Sequence, residues 1–140
     1  MRRLAVVLSL LAAPALGQGL IPKGQGDAAL ATALARPGLI VDGVSTWAVD
    51  WDRAAPMDLL VQTVYASASG GNATDLEYRI VTPAPGGPIL GATFDLPGNG
   101  IKEVYDHPQG ALLVQFQYRS GDPRCCPSGL VNTILSRGVP

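Results

Sequence analysis

Residues Ala111–Arg119 read ALLVQFQYR, and this stretch decides the fold class. Its even-numbered positions carry the large apolar side chains of Leu112, Val114, Phe116 and Tyr118. Gln115 and Gln117 stand between them, so apolar and polar residues alternate with a period of two. This period is typical of a β-strand with one buried face. We therefore predict that the even-numbered side chains are buried and that the two glutamines face solvent.

Outward from this stretch, the chain continues in short apolar runs that are separated by turn residues. Asp75–Val81 alternates in the same way, with Leu76, Tyr78 and Ile80 on its predicted apolar face. Asp58–Ala66 (DLLVQTVYA) is more uniformly apolar, which predicts a central strand covered on both faces. Five further strands are predicted at Gly38–Asp42, Thr46–Asp52, Pro88–Phe94, Ile101–Tyr105 and Leu130–Leu135. Turns are predicted at Asp42-Gly43, Gly70-Gly71-Asn72, Pro85-Gly86-Gly87, Pro97-Gly98-Asn99-Gly100 and Gln109-Gly110.

One short helix precedes the strands. Asp27 is a suitable N-cap for residues Ala28–Arg36, Leu30 and Leu34 share one helical face, and Pro37-Gly38 ends the helix. The connections between strands are too short for crossover helices, so the sheet is expected to be antiparallel. The predicted fold is mainly β, or α+β: an antiparallel curved sheet or half-open barrel with the helix packed against it.

The N-terminus has the pattern of an export signal. Arg2 and Arg3 precede the apolar stretch Leu4–Leu16, and small residues at Ala15 and Gly17 form a cleavage site before Gln18. An apolar stretch of 13 residues is too short to span a bilayer, which needs about 20. Lipid anchoring would require a cysteine where Gln18 stands. Export to the periplasm or the medium is predicted, without a membrane anchor after cleavage.

The predicted organisation is a signal peptide at 1–17, a flexible leader at 18–26 and a single β-rich domain at 27–140. After cleavage, eight Lys/Arg face eleven Asp/Glu, which gives a formal charge of −3. The charges are scattered singly along the chain. A nucleic-acid partner would need a basic patch or stripe, so nucleic acid is not expected as a partner.

Cys125 and Cys126 are the only cysteines in the chain, and they are adjacent. Exported proteins meet an oxidising compartment, so a vicinal disulfide, two buried thiols or a bond to another molecule are all open. Neighbouring Cα atoms are about 3.8 Å apart, which is closer than the usual range in disulfides. Such a bridge would close almost no chain and would add little stability through loop entropy.

Two interpretations of this segment compete. In the structural one, the cysteines shape a tight turn between the strands at Ala111 and Leu130. In the functional one, the turn is a redox or ligand-contact site made of Asp122, Arg124, Cys125 and Cys126. We predict a surface vicinal disulfide that mild reductant opens while the fold survives. A metal site is disfavoured because CxxC spacing is absent.

The same segment resembles a known family. Residues 118–129 (YRSGDPRCCPSG) are similar to the "Y-x-x-x-D-x-x-CCPSG" ending of the LppP/LprE-type bacterial envelope proteins. Asp42-Gly43 with Trp47, and Asp58–Gln62, are loosely compatible with that family. The resemblance implies envelope export and a β-rich domain, and it supplies no established activity. Family members are commonly lipoproteins, whereas this chain lacks the lipidated cysteine.

The sequence contains no recognised catalytic or cofactor-binding signature. His107 is the only histidine, and adjacent Asp106 is poorly placed to orient its ring in a triad. Gly24-Gln25-Gly26 follows no predicted strand and lacks the dinucleotide-binding pattern. Asp50 and Asp52 share one predicted strand face, as a glycosidase pair would, but two solvated carboxylates are the simpler interpretation. No catalytic, metal or cofactor-binding residue is therefore assigned.

Trp47 and Trp51 are four residues apart and share a face of the predicted Thr46–Asp52 strand. Burial in the core is favoured over stacking on sugars or peptides. Taken together, the residues favour a non-enzymatic envelope protein that binds an unidentified small ligand or envelope protein, or has a structural role. The alternative is a thiol-dependent redox or metal-handling protein that uses Cys125 and Cys126.

Overall fold

The computed structural model describes residues 19–70 and 74–138. Within these ranges, nine strands and one helix follow in the order β1 (Leu20–Ile21), β2 (Gly24–Gln25), α1 (Ala28–Leu34), β3 (Leu39–Val49), β4 (Asp58–Ser67), β5 (Thr74–Thr82), β6 (Ile89–Phe94), β7 (Ile101–His107), β8 (Gly110–Gln117) and β9 (Gly129–Ser136). The predicted mainly β fold with one short helix is confirmed. The predicted signal peptide and its cleavage site lie outside the described residues.

The strands form two open antiparallel sheets. One has four strands in the order β1-β7-β8-β9, and the other has five in the order β2-β3-β4-β5-β6. Sequential strands from β3 to β6, and from β7 to β9, pair as neighbours, because their short connections permit only antiparallel hairpins. Within residues 19–70 and 74–138, no helix has the length and hydropathy of a membrane-spanning segment.

The segment predicted as a flexible leader takes part in both sheets. Leu20 and Ile21 pair with Tyr105 and Val104 of β7. A few residues later, β2 pairs with β3. Ile21 is buried in the main core, so the described part of the leader links the two sheets. Its two strands are too short for an alternation to be recognised in the sequence.

The main core lies between the sheets and draws apolar residues from both. Its buried members are Ile21, Trp47, Val49, Leu60, Tyr78, Ile80, Ile101, Val104, Ala111, Leu113 and Leu135. Two hydrogen bonds cross the same space. The backbone N–H of Ile101 donates to Oε1 of Gln62 at 2.7 Å, and that of Gly100 donates to the Tyr78 hydroxyl at 3.1 Å. Burying these polar groups is tolerable because each finds a partner.

The second core lies on the opposite face of the five-stranded sheet, under α1. Leu30 and Leu34 of the helix pack with Val61 and Val81 of the sheet. Asp27 caps the helix as predicted, with its carboxylate accepting from the backbone N–H of Leu30 at 2.8 Å. β4 is therefore covered on both faces, as its apolar composition predicted.

The predicted orientation of β8 is wrong. Leu113 and Gln115 are fully buried, whereas Leu112 and Phe116 are half-buried on the opposite face and Tyr118 is exposed. Gln115 tolerates burial because both ends of its amide are bonded. Its Oε1 accepts from the Gly98 backbone N–H at 3.0 Å, and its Nε2 donates to the Thr133 hydroxyl at 2.7 Å. Gln117 is exposed, as expected.

β3 also differs from expectation. Asp42-Gly43, predicted as a turn, lies within one continuous strand whose pairing with β4 shifts register between Val41 and Gly43. One extra residue accommodated as a bulge keeps a strand continuous where glycine and aspartate suggest a break. Trp47 is buried in the core as favoured.

The end of β3 corrects two further expectations. Because β3 ends at Val49, Trp51 is half-buried beyond the strand rather than on its face. Asp50 and Asp52 follow the strand too, so they do not form a carboxylate pair on it. The Asp52 side chain instead accepts from the Ala54 backbone N–H at 2.9 Å.

On β5, Tyr78 and Ile80 face the main core as predicted, whereas Leu76 is exposed.

Candidate functional site

The predicted site lies in the connection between β8 and β9, residues 118–128, which we call the cysteine loop. Cys125 and Cys126 are joined by a disulfide, with their Cα atoms 3.8 Å apart. Both residues are exposed. The predicted surface vicinal disulfide is therefore confirmed. The loop is longer than the tight turn that the structural interpretation assumed.

The neck of the cysteine loop is closed by one carboxylate. Oδ2 of Asp122 accepts from the backbone N–H of Arg119 at 2.7 Å and from that of Ser128 at 2.8 Å. These two residues stand just after β8 and just before β9, so Asp122 ties the two strand ends together. The bonds to the Arg119 and Ser128 amides lower the pKa of Asp122 below its usual range. Asp122 is thus a structural residue of the loop.

The tip of the loop is a second turn. The backbone N–H of Cys126 donates to the Pro123 carbonyl at 3.0 Å. The Tyr118 hydroxyl donates to the Arg124 carbonyl across the loop. The backbone around the disulfide is therefore held by hydrogen bonds that do not involve sulfur. Of the predicted site residues, Arg124, Cys125 and Cys126 remain exposed and free to contact a partner.

The only histidine of the sequence lies apart from the disulfide, at the opposite end of the four-stranded sheet. His107 is the last residue of β7, and its Nδ1 accepts from the Gln109 backbone N–H at 3.1 Å. In the part of the chain that the structure describes, no three His, Cys, Asp or Glu side chains group closely enough to hold a metal ion. The chemistry that the loop offers is thiol–disulfide exchange at an accessible bridge.

A second candidate site was not predicted from the sequence. Beside the N-terminal end of α1, a pocket of about 320 Å³ opens between the helix and the β5–β6 turn. Leu59, Val81 and Thr46 line it from the five-stranded sheet, and Ala29 and Leu30 line it from the helix. The opposite wall is a proline-rich turn that contributes Pro83, Ala84, Pro85, Gly87 and Pro88.

The polar groups of this pocket are few. Thr46 lies buried in the sheet, and Asp27 and Gln25 stand at the entrance to the helix. Apolar walls with a small number of polar groups are typical of sites for small ligands. The pocket was missed because its walls come from four separate segments. The one local signal is the proline-rich segment 83–88, in which the sequence predicts only the turn Pro85-Gly86-Gly87 and the start of a strand at Pro88.

Comparisons with known proteins add nothing to these assignments: neither a family model, a curated protein nor a solved structure matches this chain. The resemblance of residues 118–129 to the LppP/LprE-type envelope proteins therefore stays a prediction.

Proposed function

We propose that this chain is an exported bacterial envelope protein whose folded domain binds a small ligand, without catalysis, in the pocket beside α1. The pocket is the observation that carries the proposal. Its volume of about 320 Å³ is close to the lower end of the range for small-molecule sites. The export part is supported by Arg2-Arg3, the Leu4–Leu16 apolar stretch and the small residues before Gln18.

The lining of the pocket indicates the class of ligand. Leu30, Leu59 and Val81 offer an apolar surface to a compact apolar body. Thr46 and Asp27 also line the pocket, and their hydroxyl and carboxylate groups can accept hydrogen bonds. A small molecule with an apolar core and one or two hydrogen-bond donors fits this arrangement.

The walls of the pocket are held in place by hydrogen bonds within the chain. α1 is fixed at one end by the Asp27 cap and at the other by the Tyr65 hydroxyl, which donates to the Leu34 carbonyl at 2.8 Å. The opposite wall is stiffened by its prolines, whose φ angles are locked, and by a 3.0 Å bond from the Gly87 N–H to the Ala84 carbonyl. A preformed site loses little conformational entropy on binding.

Filling the pocket tests the ligand-binding part. Ala29 is exposed on α1 and lines the pocket, whereas Ala28 is exposed beside it and does not. Ala29→Trp should abolish the pocket's share of anilinonaphthalenesulfonate fluorescence, and the matched control Ala28→Trp should keep it. Equal dye binding by both variants and the unmodified protein would overturn the proposed pocket.

Mass spectrometry tests the export part independently. Protein recovered from the periplasm or the medium should have the intact mass of a chain that begins at Gln18, with no acyl group. Retention of Arg2-Arg3, or an added lipid mass, contradicts it.

A second candidate function rests on the exposed Cys125–Cys126 bridge. In thiol–disulfide exchange, a partner dithiol attacks the bridge and becomes oxidised to a disulfide, while Cys125 and Cys126 each gain an electron and a proton. The loop backbone is held by Asp122 and Tyr118, so the bridge can open while the loop keeps its shape.

Thiol counting tests this candidate. Protein purified without reductant should contain no free thiol, and mild reductant should release two per chain while circular dichroism stays unchanged. Two free thiols before reduction would contradict it. The metal content of the same sample tests the metal-handling variant of this function.

A further inference from the structure

In the part of the chain that the structure describes, the two sheets have four edge strands, β1, β9, β2 and β6, and three of these are unsuitable for pairing with another strand. β1 and β2 are only two residues long. β6 is interrupted by a register shift against β5, and its Gly91 carbonyl already accepts from the Arg79 guanidinium at 2.9 Å. Short strands, bulges and blocked carbonyls are the devices by which proteins protect sheet edges.

The fourth edge, β9, carries none of these devices. It is eight residues long and pairs with β8 without any register shift. Its sequence, GLVNTILS, contains no charged residue and no proline. A long, regular and uncharged edge strand is a template for pairing with another strand.

The alternation of backbone hydrogen bonds between β8 and β9 shows which backbone groups of β9 point outward and can pair with another strand. On β8, the Phe116 N–H donates to the Gly100 carbonyl. The backbone groups of Phe116 therefore point toward the β7 side of the sheet and not toward β9. At the other end, the Arg137 N–H donates to the Gln109 carbonyl. Since bonding alternates along an antiparallel pair, the odd-numbered residues of β9 bond to β8. The N–H and C=O groups of Leu130, Asn132 and Ile134 therefore point outward, away from the sheet.

The side chains of the same three residues are exposed. Leu130 is 48% and Ile134 is 46% exposed, and both lie on the outer face of the four-stranded sheet. They continue the half-buried apolar surface of β8, because Leu130 stands opposite Phe116 and Ile134 opposite Leu112. Among residues 19–70 and 74–138, the outward-facing backbone groups and apolar side chains of β9 thus have no partner beyond β8.

We propose that β9 pairs antiparallel with β9 of a second copy of this chain, which joins two four-stranded sheets into one of eight strands. The two-fold axis passes beside Asn132, so that Asn132 faces its symmetry mate. In this register, Leu130 of each copy stands opposite Ile134 of the other.

A second copy fits this edge better than an unrelated strand because β9 is self-complementary. With a two-fold axis at Asn132, the apolar Leu130 stands opposite the apolar Ile134 of the other copy, and the two Asn132 amides face each other. No like charges are brought together. Two-fold dimers with one self-complementary patch are also the commonest oligomers. The proposal concerns the opposite sheet from the pocket and is independent of ligand binding.

A single lysine at the axis tests the interface. Asn132 is exposed, so Asn132→Lys leaves the core intact but places two ammonium groups face to face. In sedimentation velocity, the exported protein should sediment as a dimer at high concentration, and this variant should raise the dissociation constant at least about tenfold. The matched control is Thr93→Lys on the other edge, β6, which should dimerise like the unmodified protein.

Two paired charge variants test the register. Leu130→Lys with Ile134→Glu places lysine opposite the partner's glutamate and should preserve the dimer. Leu130→Lys with Ile134→Lys places lysine opposite lysine and should give monomers. Thermal melts confirm that each variant is folded before it is compared.

Three outcomes would overturn the proposal. The unmodified protein could be monomeric at every concentration, which includes the case in which β9 pairs only with a different protein. The dimer could survive Asn132→Lys, which would place its interface elsewhere. The two paired variants could behave alike, which would exclude the register centred on Asn132.

Discussion

The five-stranded and four-stranded sheets differ in how many of their faces are covered. The five-stranded sheet packs against the other sheet on one side and against α1 on the other, so its central strand β4 is buried along most of its length. The four-stranded sheet is covered on its inner face, while its outer face exposes Leu20, Leu130 and Ile134. Apolar residues of the four-stranded sheet therefore fall into two groups: those on the inner face are buried in the core, and those on the outer face remain exposed or half-buried.

This difference distinguishes apolar residues that stabilise the fold from apolar residues that are available to contact a partner. On the five-stranded sheet, apolar side chains on both faces contribute burial to stability, and Ile40, Leu76 and Ile89 are its exposed large apolar residues. On the four-stranded sheet, the inner face includes the buried amide of Gln115, and the outer face carries apolar residues that folding leaves exposed. An exposed apolar surface on a sheet with an unprotected edge is typical of an interaction site.

The largest expected effect on stability comes from truncating one of two neighbouring leucines on β8 to alanine. Leu113 is fully buried in the main core, whereas Leu112 is half-buried on the outer face. Leu113→Ala should lower the free energy of unfolding by about 2–5 kcal/mol. Leu112→Ala, the matched control, should lower it by roughly 1 kcal/mol. Denaturant unfolding measures both, and equal losses would mean that the outer face is covered.

A smaller effect on stability is expected from replacing either of the two glutamines of the same strand by leucine. Gln115→Leu leaves the Gly98 N–H without its acceptor and the Thr133 hydroxyl without its donor. An unsatisfied buried polar group costs about 1–3 kcal/mol, so this substitution should destabilise the protein although it adds an apolar residue to the core. Gln117→Leu, on the exposed end of the strand, should change stability by less than about 0.5 kcal/mol. A stabilising Gln115→Leu would contradict the observed hydrogen bonds.

The sequence predicted the fold class and most of the elements because these depend on local patterns. The helix with its Asp27 cap, the doubly covered β4 and the strand at Ala111–Arg119 all follow from spacing and composition. The burial of Gln115 could not be predicted, because its partners Gly98 and Thr133 lie 17 and 18 residues away. Alternation locates a strand, but only long-range contacts decide which of its faces is buried.

The candidate sites show the same limit. The vicinal disulfide could be predicted, because Cys125 and Cys126 are the only cysteines of the sequence and each has no other intramolecular partner. The pocket could not, since Thr46, Leu59 and Val81 meet α1 only after the sheet has formed. The free edge of β9 likewise depends on strand order, which no local pattern specifies.

The cysteine loop connects β8 and β9 of the four-stranded sheet. Acid should weaken the hydrogen bonds by which Asp122 joins the two ends of this loop. The Arg119 and Ser128 amides lower the pKa of Asp122 in the folded loop. A lowered folded-state pKa means that the stabilisation is complete above the ordinary carboxyl pKa and is lost as the pH falls through the lowered value. The amide NMR shifts of Arg119 and Ser128 should follow this titration. Asp122→Asn should abolish the pH dependence, and an unchanged titration would exclude Asp122 as its source.

The smallest effect is expected at the tip of the same loop. The Cys125–Cys126 bridge encloses no intervening residue, so it removes almost no chain entropy from the unfolded state. The loop is held instead by Asp122 at its neck and by the bond from the Tyr118 hydroxyl to the Arg124 carbonyl. Replacing both cysteines by serine should therefore shift the melting temperature by less than about 2 °C. Asp122→Ala, which removes the carboxylate but keeps the bridge, should disturb the Arg119 and Ser128 amide signals more than the serine variant does. A large fall in melting temperature without the disulfide would show that the bridge, rather than the carboxylate, holds the end of this sheet together.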